Sequence, residues 1–490
     1  MSHSLSASKK RALYVFWLFW LCSLQAVFAA PHKPEDHGKS HHVAHPARSS
    51  TPENPFKTPF DTDSSDEDIT PTDDGPTSDR SPGLGIELEA SGFVLECKSC
   101  KAVGTFASKG KAISGHVGKH WSLTVDTTGE GAGRVNGEYI LNGKEIKLGA
   151  GTATTAAENI QKDLVKWHPY ATMSGNSVDL LDPVNAECKT WKVTDPTSPD
   201  GYKSMDWQVQ ATAAMPLAGI DALFERAKTS VLRNEPLLPD VARYLEPLVW
   251  VNSEFFQNSP QGNTPTGVNK DTLGFFSLIV TYVKPNMHIT SAKNSFKTRS
   301  PIMPRTDFVT MYNDVKANIK GNNLYELVLT LLCFENHEEY VDLDTRWCQG
   351  SLKEPKLRTE AHTKLTFHIE GDSKLSGFPA KTSFTVQEWM EGLQGTGAMT
   401  KRVNQALNKA DPKTKRKDTD PVDLVAVFDR WYDGQIGAYG SAVEHVYGNE
   451  KKLAPLFEFR NLEGILYEKF KTKVSQIEER VIYYHKKYAS

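Results

Sequence analysis

The sequence predicts an α+β fold in which a curved antiparallel sheet carries interleaved and flanking helices. Strand patterns lie near the start of the folded body, at residues 85–95 and 121–125, and again near its end, at residues 364–370 and 456–460. Helical patterns of varied length separate them, without the regular strand–helix alternation that a parallel sheet requires. These observations predict one globular domain over residues 84–490.

The first strand shows the two faces of the predicted sheet. Apolar and acidic residues alternate through residues 86–89, and side chains two residues apart point to the same face of a strand. Ile86 and Leu88 are therefore predicted in the core, with Glu87 and Glu89 side by side on the opposite face. A further strand is predicted at 138–141.

Several helices are predicted from apolar residues at helical spacing. One places Ala157, Ile160 and Leu164 on a single face. The last predicted helix also has a single apolar face, which is formed by Leu466, Phe470, Val474, Ile477 and Val481.

Two helix starts are predicted from local chemistry. Thr385 and Glu388 have the spacing of a capping box, in which each side chain binds the other residue's backbone N–H. Asp420 followed by Pro421 predicts a second start, because proline is favoured at the first helical position.

Two apolar runs, residues 273–283 and 324–334, are too short to cross a membrane and are predicted as buried core helices. About 400 residues is large for one hydrophobic core. The length therefore allows an inserted helical subdomain at about 230–350.

The amino terminus predicts export. Lys9, Lys10 and Arg11 precede an apolar run that ends in small residues before Pro31, which is typical of a cleaved signal peptide over residues 1–30. The alternative is an uncleaved membrane anchor. The mature protein is predicted to be secreted into the extracellular space.

Residues 31–83 are rich in Pro, Ser, Asp and His and carry few aliphatic side chains. Such a segment buries too little apolar area to offset the entropy of ordering, so it is predicted to be disordered, as a removed pro-region or a stalk.

Charge and cysteine content narrow the class of protein. Fifty-seven basic residues stand against sixty acidic ones, so no nucleic-acid partner is predicted. Five cysteines remain after signal cleavage, and an oxidising compartment favours two disulfide bonds with one spare thiol. The C-x-x-C spacing leaves a redox or zinc role as the alternative. These cysteines are Cys97, Cys100, Cys188, Cys333 and Cys348.

The paired acids of the first strand are the sharpest chemical feature. Two adjacent carboxylates repel unless they lie in water or share a cation. A solvated strand face is the plain interpretation. Further acids at strand edges favour a bound cation over a solvated face. They are Asp126, Glu138 and Glu458, and Glu458 lies two positions before Arg460. Carboxylates bind Mg²⁺, and a guanidinium binds phosphate.

Four short motifs occur in order along the chain: GIELE from Gly85, W-x-x-T-x-D-x-T from Trp121, EYI from Glu138 and PLFEFR from Pro455. This order resembles the amidoligase family of carboxylate–amine ligases, which have the glutamine-synthetase and glutamate–cysteine-ligase fold. The resemblance implies Mg²⁺ and ATP as cofactors, and an acyl-phosphate that an amine attacks.

The resemblance also implies roles for individual residues. Arg460 would act on the transferred phosphate, and the metal ligands would be the five acids Glu87, Glu89, Asp126, Glu138 and Glu458. The chain departs from the family where Asp126 is followed by two threonines instead of Gly-Ser. It departs again where Gln208, Gln210 and Thr212 replace a His-x-His strand. Those three residues are predicted to bind the nucleotide cofactor, since glutamine is a poor metal ligand.

Arg299 and Arg305 lie in a proline-containing loop before a predicted helix and are further catalytic candidates, because arginine suits bidentate contacts with phosphate or carboxylate. The alternative is that Arg305 pairs with Asp307 or another acid and braces the loop. The sequence contains no G-x-S-x-G, H-E-x-x-H or Walker motif.

The resulting hypothesis is a secreted amidoligase-like protein, an ATP- and Mg²⁺-dependent ligase that acts as an exported effector or toxin-like factor. Its partner would be a small-molecule or peptide carboxylate and amine, or a host protein. No membrane span is predicted after signal cleavage. Two alternatives stay open: a catalytically inactive secreted interaction protein on the same fold, and a structural cell-surface protein.

Overall fold

The computed structural model describes most of the chain from Gly83 onward, and the described residues belong to one compact unit. The predicted signal segment, Arg299 and the cysteine side chains lie outside the residues and side chains that the structure describes. The described ranges are 83–97, 112–128, 134–143, 145–165, 172–174, 190–194, 204–229, 235–253, 268–286, 300–319, 323–339, 348–351, 354–357, 366–370, 375–379, 381–413, 415–429, 445–447 and 452–488.

The described residues form strands that occur both early and late in the chain, as the sequence predicts. They are β1 (Leu84–Cys97), β2 (Ala112–Val117), β3 (Trp121–Thr128), β4 (Arg134–Leu141), β5 (Thr172–Ser174), β6 (Thr190–Thr194), β7 (Gln208–Ala214), β8 (Ile302–Pro304), β9 (Cys348–Ser351), β10 (Glu354–Leu357), β11 (Thr366–Glu370), β12 (Lys381–Thr385), β13 (His445–Tyr447), β14 (Lys452–Ala454) and β15 (Leu456–Phe459).

Helices lie between and after these strands. They are α1 (Thr152–Leu164), α2 (Leu217–Lys228), α3 (Ala242–Leu245), α4 (Lys270–Asn286), α5 (Phe308–Val315), α6 (Leu324–Glu339), α7 (Val386–Gln394), α8 (Ala398–Ala410), α9 (Leu424–Asp429) and α10 (Phe470–Tyr488). This mixture of helices and an antiparallel sheet confirms the predicted α+β class.

The main sheet has nine strands, and its central path runs β2-β3-β4-β1-β7-β15-β8. The short strands β5 and β6 join it through β1, and every described pairing in the sheet is antiparallel. The last strand of the chain, β15, lies between β7 and β8. This crossover brings the carboxyl-terminal motif beside β7, which precedes it by more than 200 residues.

One face of the sheet is apolar and is covered by helices. Ile86 and Leu88 are fully buried, which confirms their predicted place in the core. Trp207 packs against Phe93 of β1 and, edge to face at 5.3 Å between ring centroids, against Phe470 of α10. Helix α10 also packs on α1 and α2. The polar side chains of β1 and β7 therefore point away from these helices.

The two predicted core helices are present as α4 and α6, and the described apolar side chains of both runs are almost all buried. Trp389 of α7 joins α4 and α5, because its ring packs edge to face on Tyr282 at 5.3 Å and on Phe308 at 5.1 Å. Whether residues 230–350 form a subdomain stays a prediction. No helix among the described residues is long and apolar enough to cross a membrane.

The predicted capping box is confirmed, since the Thr385 side chain accepts from the Glu388 N–H and Glu388 accepts from the Thr385 N–H. The predicted helix start at Pro421 is wrong. Helix α9 begins at Leu424, because the Asp423 side chain accepts from the Val425 N–H and caps the helix at this later position.

The predicted inner face of the last helix is correct from Phe470 onward but wrong at Leu466. Leu466 is 48% exposed, because a 3₁₀ turn at Tyr467–Lys469 precedes α10 and takes Leu466 out of the helical period.

Candidate functional site

The polar face of the sheet brings motifs from both ends of the chain into neighbouring positions. Antiparallel partners that lie opposite each other share a face. Glu89 lies opposite Glu138 on β4 and opposite Gln208 on β7, and Glu87 lies opposite Gln210. We call the sheet face that carries these five side chains the acidic face.

The same register places the carboxyl-terminal motif on the acidic face. Thr212 lies opposite Gly85 on one side and opposite Glu458 on the other. Thr212 shares the face of Gln210 because the two residues are two apart on β7. Glu458 therefore lies on the same side of the sheet as Glu87.

Three carboxylates of this face form a cluster, which we call the acidic triad: Glu87, Glu89 and Glu138. One oxygen from each lies within 4.8 Å of the others. Glu87 is 8% exposed and Glu138 is 6% exposed. Glu87 and Glu138 therefore do not lie on a solvated strand face. Glu89 is half-buried and keeps partial contact with water.

The environment of Glu138 favours its neutral form. Burial, and then the charges of Glu87, Asp126 and Glu89, raise its pKa to about 9. The Thr124 hydroxyl donates a hydrogen bond to Glu138 Oε1 at 3.0 Å and partly opposes this shift. Three carboxylates in so small a volume cannot all ionise without a compensating positive charge.

Asp126 lies next to the acidic triad but is not one of its three carboxylates. The register of β3 against β4 shifts between Val125 and Thr127, so Asp126 occupies the irregularity itself. Its charge nevertheless raises the pKa of Glu138. A register shift of this kind has no signature in the sequence letters, which is why the sequence alone treats all the acids as equivalent.

Glu458 is bound by two arginines, which we call the arginine pair: Arg305 and Arg460. The Arg305 Nε–H donates to Glu458 Oε2 at 3.0 Å, and its Nη2 donates to the same oxygen. Arg460 Nε lies 3.0 Å from Glu458 Oε1. Because both carboxylate oxygens face a guanidinium and Glu458 is buried, a cation at Glu458 would have to displace these donors.

The structure shows which acid Arg305 contacts. Arg305 pairs with an acid, as the alternative interpretation predicts, but the acid is Glu458 and not Asp307. Asp307 instead caps α5 by accepting from the Thr310 N–H at 2.9 Å.

Gln210 connects the arginine pair to the acidic triad. The Arg460 Nε–H donates to Gln210 Oε1 at 3.1 Å, and Gln210 Nε2 donates to Glu89 Oε1 at 3.2 Å. Gln208 is exposed, whereas Thr212 is buried. Whether these three residues bind a nucleotide stays a prediction.

The acidic triad has dimensions that suit a divalent cation. Two ligand oxygens on one ion lie at most two bond lengths apart, about 4.2 Å for Mg²⁺ and about 5.2 Å for Ca²⁺. The 4.8 Å spread falls between these limits, so Mg²⁺ requires only a small contraction of the side chains. Hard carboxylate oxygens are the donors that both ions prefer.

Sequence reasoning missed Thr124 as a donor to Glu138, although it lies in the quoted W-x-x-T-x-D-x-T motif on the strand next to β4. It also missed the linking position of Gln210.

No known protein family, curated protein or solved structure matches this chain. The amidoligase resemblance therefore rests on the quoted motifs, and the geometry of the acidic face carries the functional argument.

Proposed function

We propose that this chain is a secreted, amidoligase-like protein that uses Mg²⁺ and ATP to join a carboxylate to an amine. The observation that carries the proposal is the acidic triad, whose oxygens lie within 4.8 Å on the same sheet face as the arginine pair. A cation site beside guanidinium groups suits a ligand that carries phosphate.

The residues of the chain divide the work in this proposal. Glu87, Glu89 and Glu138 hold Mg²⁺, which neutralises charge on the phosphates when it is bound. Arg305 and Arg460 both bind Glu458, and their guanidiniums are the donors that would contact the phosphate of an anionic ligand. Glu458 fixes the orientation of both guanidiniums.

The test is calorimetry of the mature protein with Mg²⁺ and ATP. We expect Mg²⁺-dependent binding of ATP by the wild type, and a loss of at least about tenfold in affinity for Glu87→Gln. Glu145→Gln is the matched control, because Glu145 is 50% exposed and lies outside the acidic triad. Absence of Mg²⁺-dependent nucleotide binding by the wild type overturns the ligase proposal.

A second candidate is a secreted interaction protein that keeps the sheet without the chemistry. The glutamines on β7 favour it, since glutamine cannot transfer a proton and binds metals poorly. A folded wild type that binds neither Mg²⁺ nor ATP supports this candidate.

Secretion is the second part of the proposal and rests on the amino-terminal pattern. Export with an ATP-using site favours an effector that acts on a small-molecule or peptide carboxylate and amine, or on a host protein. Mass spectrometry of protein from the culture medium is expected to find an amino terminus just after Ala29 or Ala30. An exported chain that retains residues 1–30 contradicts signal cleavage.

A further inference from the structure

We infer that Gln210 is a positioning residue that holds the acidic triad and the arginine pair in one arrangement, so that both ends of a metal-bound anionic ligand depend on it. The inference deepens the proposed function and rests on it. Gln210 is the side chain through which the described hydrogen bonds join the two groups: Arg460 donates to its oxygen and its nitrogen donates to Glu89.

The chemistry of the two neighbours fixes the orientation of the Gln210 amide. A guanidinium only donates hydrogen bonds, and an ionised carboxylate only accepts them. The amide oxygen must therefore face Arg460 and the amide nitrogen must face Glu89. An ionised carboxylate at this position cannot donate to Glu89 and a cationic side chain cannot accept from Arg460, whereas a side-chain amide does both.

Two members of the acidic triad are oriented by neutral donors from neighbouring strands. Thr124 donates to Glu138 and Gln210 donates to Glu89. Groups that hydrogen-bond to metal ligands fix their geometry, and their loss typically lowers metal affinity about 10- to 100-fold. Gln210 differs from Thr124 because its other end holds Arg460, which also pairs with Glu458.

The hydrogen bond between Gln210 and Arg460 also orients one member of the arginine pair. Arg460 is 25% exposed at its side chain, so its guanidinium retains contact with water and with any anion that approaches the face. Without Gln210, the Arg460 Nε–H keeps its contact with Glu458 but loses the hydrogen bond to the amide oxygen. A guanidinium held by fewer hydrogen bonds binds an anion less well, because more of its ordering must take place on binding.

The chain offers a control of the same residue type away from the acidic face. Gln387 of α7 is exposed, and its side chain donates a hydrogen bond to Glu391. The variants are Gln210→Met, which keeps the length of the side chain and removes both hydrogen bonds, and Gln387→Met. Gln210→Asn keeps the amide but is one methylene shorter, and it serves if Gln210→Met does not fold.

The experiment titrates the full mature chain with Mn²⁺ alone and, separately, with inorganic phosphate alone. We expect Gln210→Met and Gln210→Asn to weaken Mn²⁺ binding about 10-fold or more and to weaken phosphate binding as well. Gln387→Met is expected to match the wild type in both titrations. Thermal unfolding of each variant shows whether the fold is retained.

The outcomes separate the inference from the proposed function. Wild-type affinities in a folded Gln210→Met variant overturn the inference and leave the proposed function standing. Weaker Mn²⁺ binding with unchanged phosphate binding overturns the link to Arg460. A wild type that binds neither probe overturns the proposed function, and the inference with it.

Discussion

At the scale of single residues, the acidic face combines charges that a protein interior normally keeps apart. Glu87 and Glu138 are buried beside each other, and Glu458 is buried against two arginines. In the first group burial brings like charges together, whereas in the second it holds opposite charges together. The two therefore respond to substitution in different ways.

Replacing Glu458 tests the arginine pair. Glu458→Gln removes the buried carboxylate charge that both Arg305 and Arg460 bind, and removal of one partner from a buried ion pair costs about 3 kcal/mol or more. We expect a loss of about this size in the free energy of unfolding, measured with urea. Asp418→Asn is the control, because its pair with Lys401 is exposed and contributes about 1 kcal/mol or less. Equal effects of the two substitutions contradict the prediction.

Glu138 predicts how stability changes with pH. Its pKa is about 9 in the folded state, against an ordinary 4.5. Between these values the unfolded carboxyl loses its proton while the folded one keeps it, so the free energy of unfolding falls as pH rises. Below pH 4.5 the carboxyl is protonated in both states and has no effect.

Glu138→Gln removes this dependence because its amide does not titrate. In metal-free buffer we expect the variant to gain stability relative to the wild type as pH rises from 5 to 9, by at most about 1.4 kcal/mol per pH unit. Urea unfolding across this range measures the difference. A constant difference between the two proteins shows that Glu138 does not hold a proton in the folded state.

At the scale of elements, two side-chain caps, one from Thr385 and one from Asp423, show how a helix start is determined. The capping box at Thr385 is fully visible in the sequence because its two residues lie three apart. Thr385→Ala is expected to destabilise the protein by about 1 kcal/mol, measured by urea unfolding. Gln387→Ala on the same helix removes only an exposed bond to Glu391, so a few tenths of a kcal/mol are expected. A Thr385→Ala variant no less stable than Gln387→Ala refutes the cap's contribution.

Asp423 caps α9 and also joins two other helices. It accepts from the Phe308 N–H at the start of α5 and from Trp389 Nε1 in α7, each within 2.9 Å. Asp423→Ala leaves these buried donors unpaired, at about 1–3 kcal/mol for each. We expect a loss of at least about 3 kcal/mol by urea unfolding.

Asp420→Ala is the matched control for Asp423→Ala. Asp420 accepts only an exposed bond from the Lys417 N–H, for which about 1 kcal/mol is expected. If Asp420→Ala proves the more damaging change, Asp423 does not connect the helices as described. The helix start predicted at Pro421 is wrong because Asp423 caps α9 three residues after Asp420. The contacts of Asp423 with residues 34 and 115 positions away are not visible in the local sequence.

At the scale of the whole molecule, a cation bound to the acidic triad should stabilise the folded chain against unfolding. The three ligands come together only in the folded sheet, so Mn²⁺ binds the native state in preference to the unfolded chain. At a concentration about 100 times its dissociation constant it should add about 2.7 kcal/mol. Thermal unfolding with Mn²⁺ and with a chelator measures the stability that the ion adds. Glu87→Gln should gain no stability from Mn²⁺. An equal rise in unfolding temperature for the wild type and Glu87→Gln would show that the ion binds outside the acidic triad.

The sequence by itself determined the α+β class, the apolar face of β1 and the capping box of α7. Alternation in β1 and the capping box of α7 depend on neighbours within a few residues, and local physical chemistry is sufficient for them. Only the tertiary structure decided that β15 lies beside β7, which brings Glu458 against Arg305 and Arg460 against Gln210. Strand order, the register shift at Asp126 and the buried charge pairs depend on contacts between distant residues, because pairing across a sheet leaves no periodic trace in the chain.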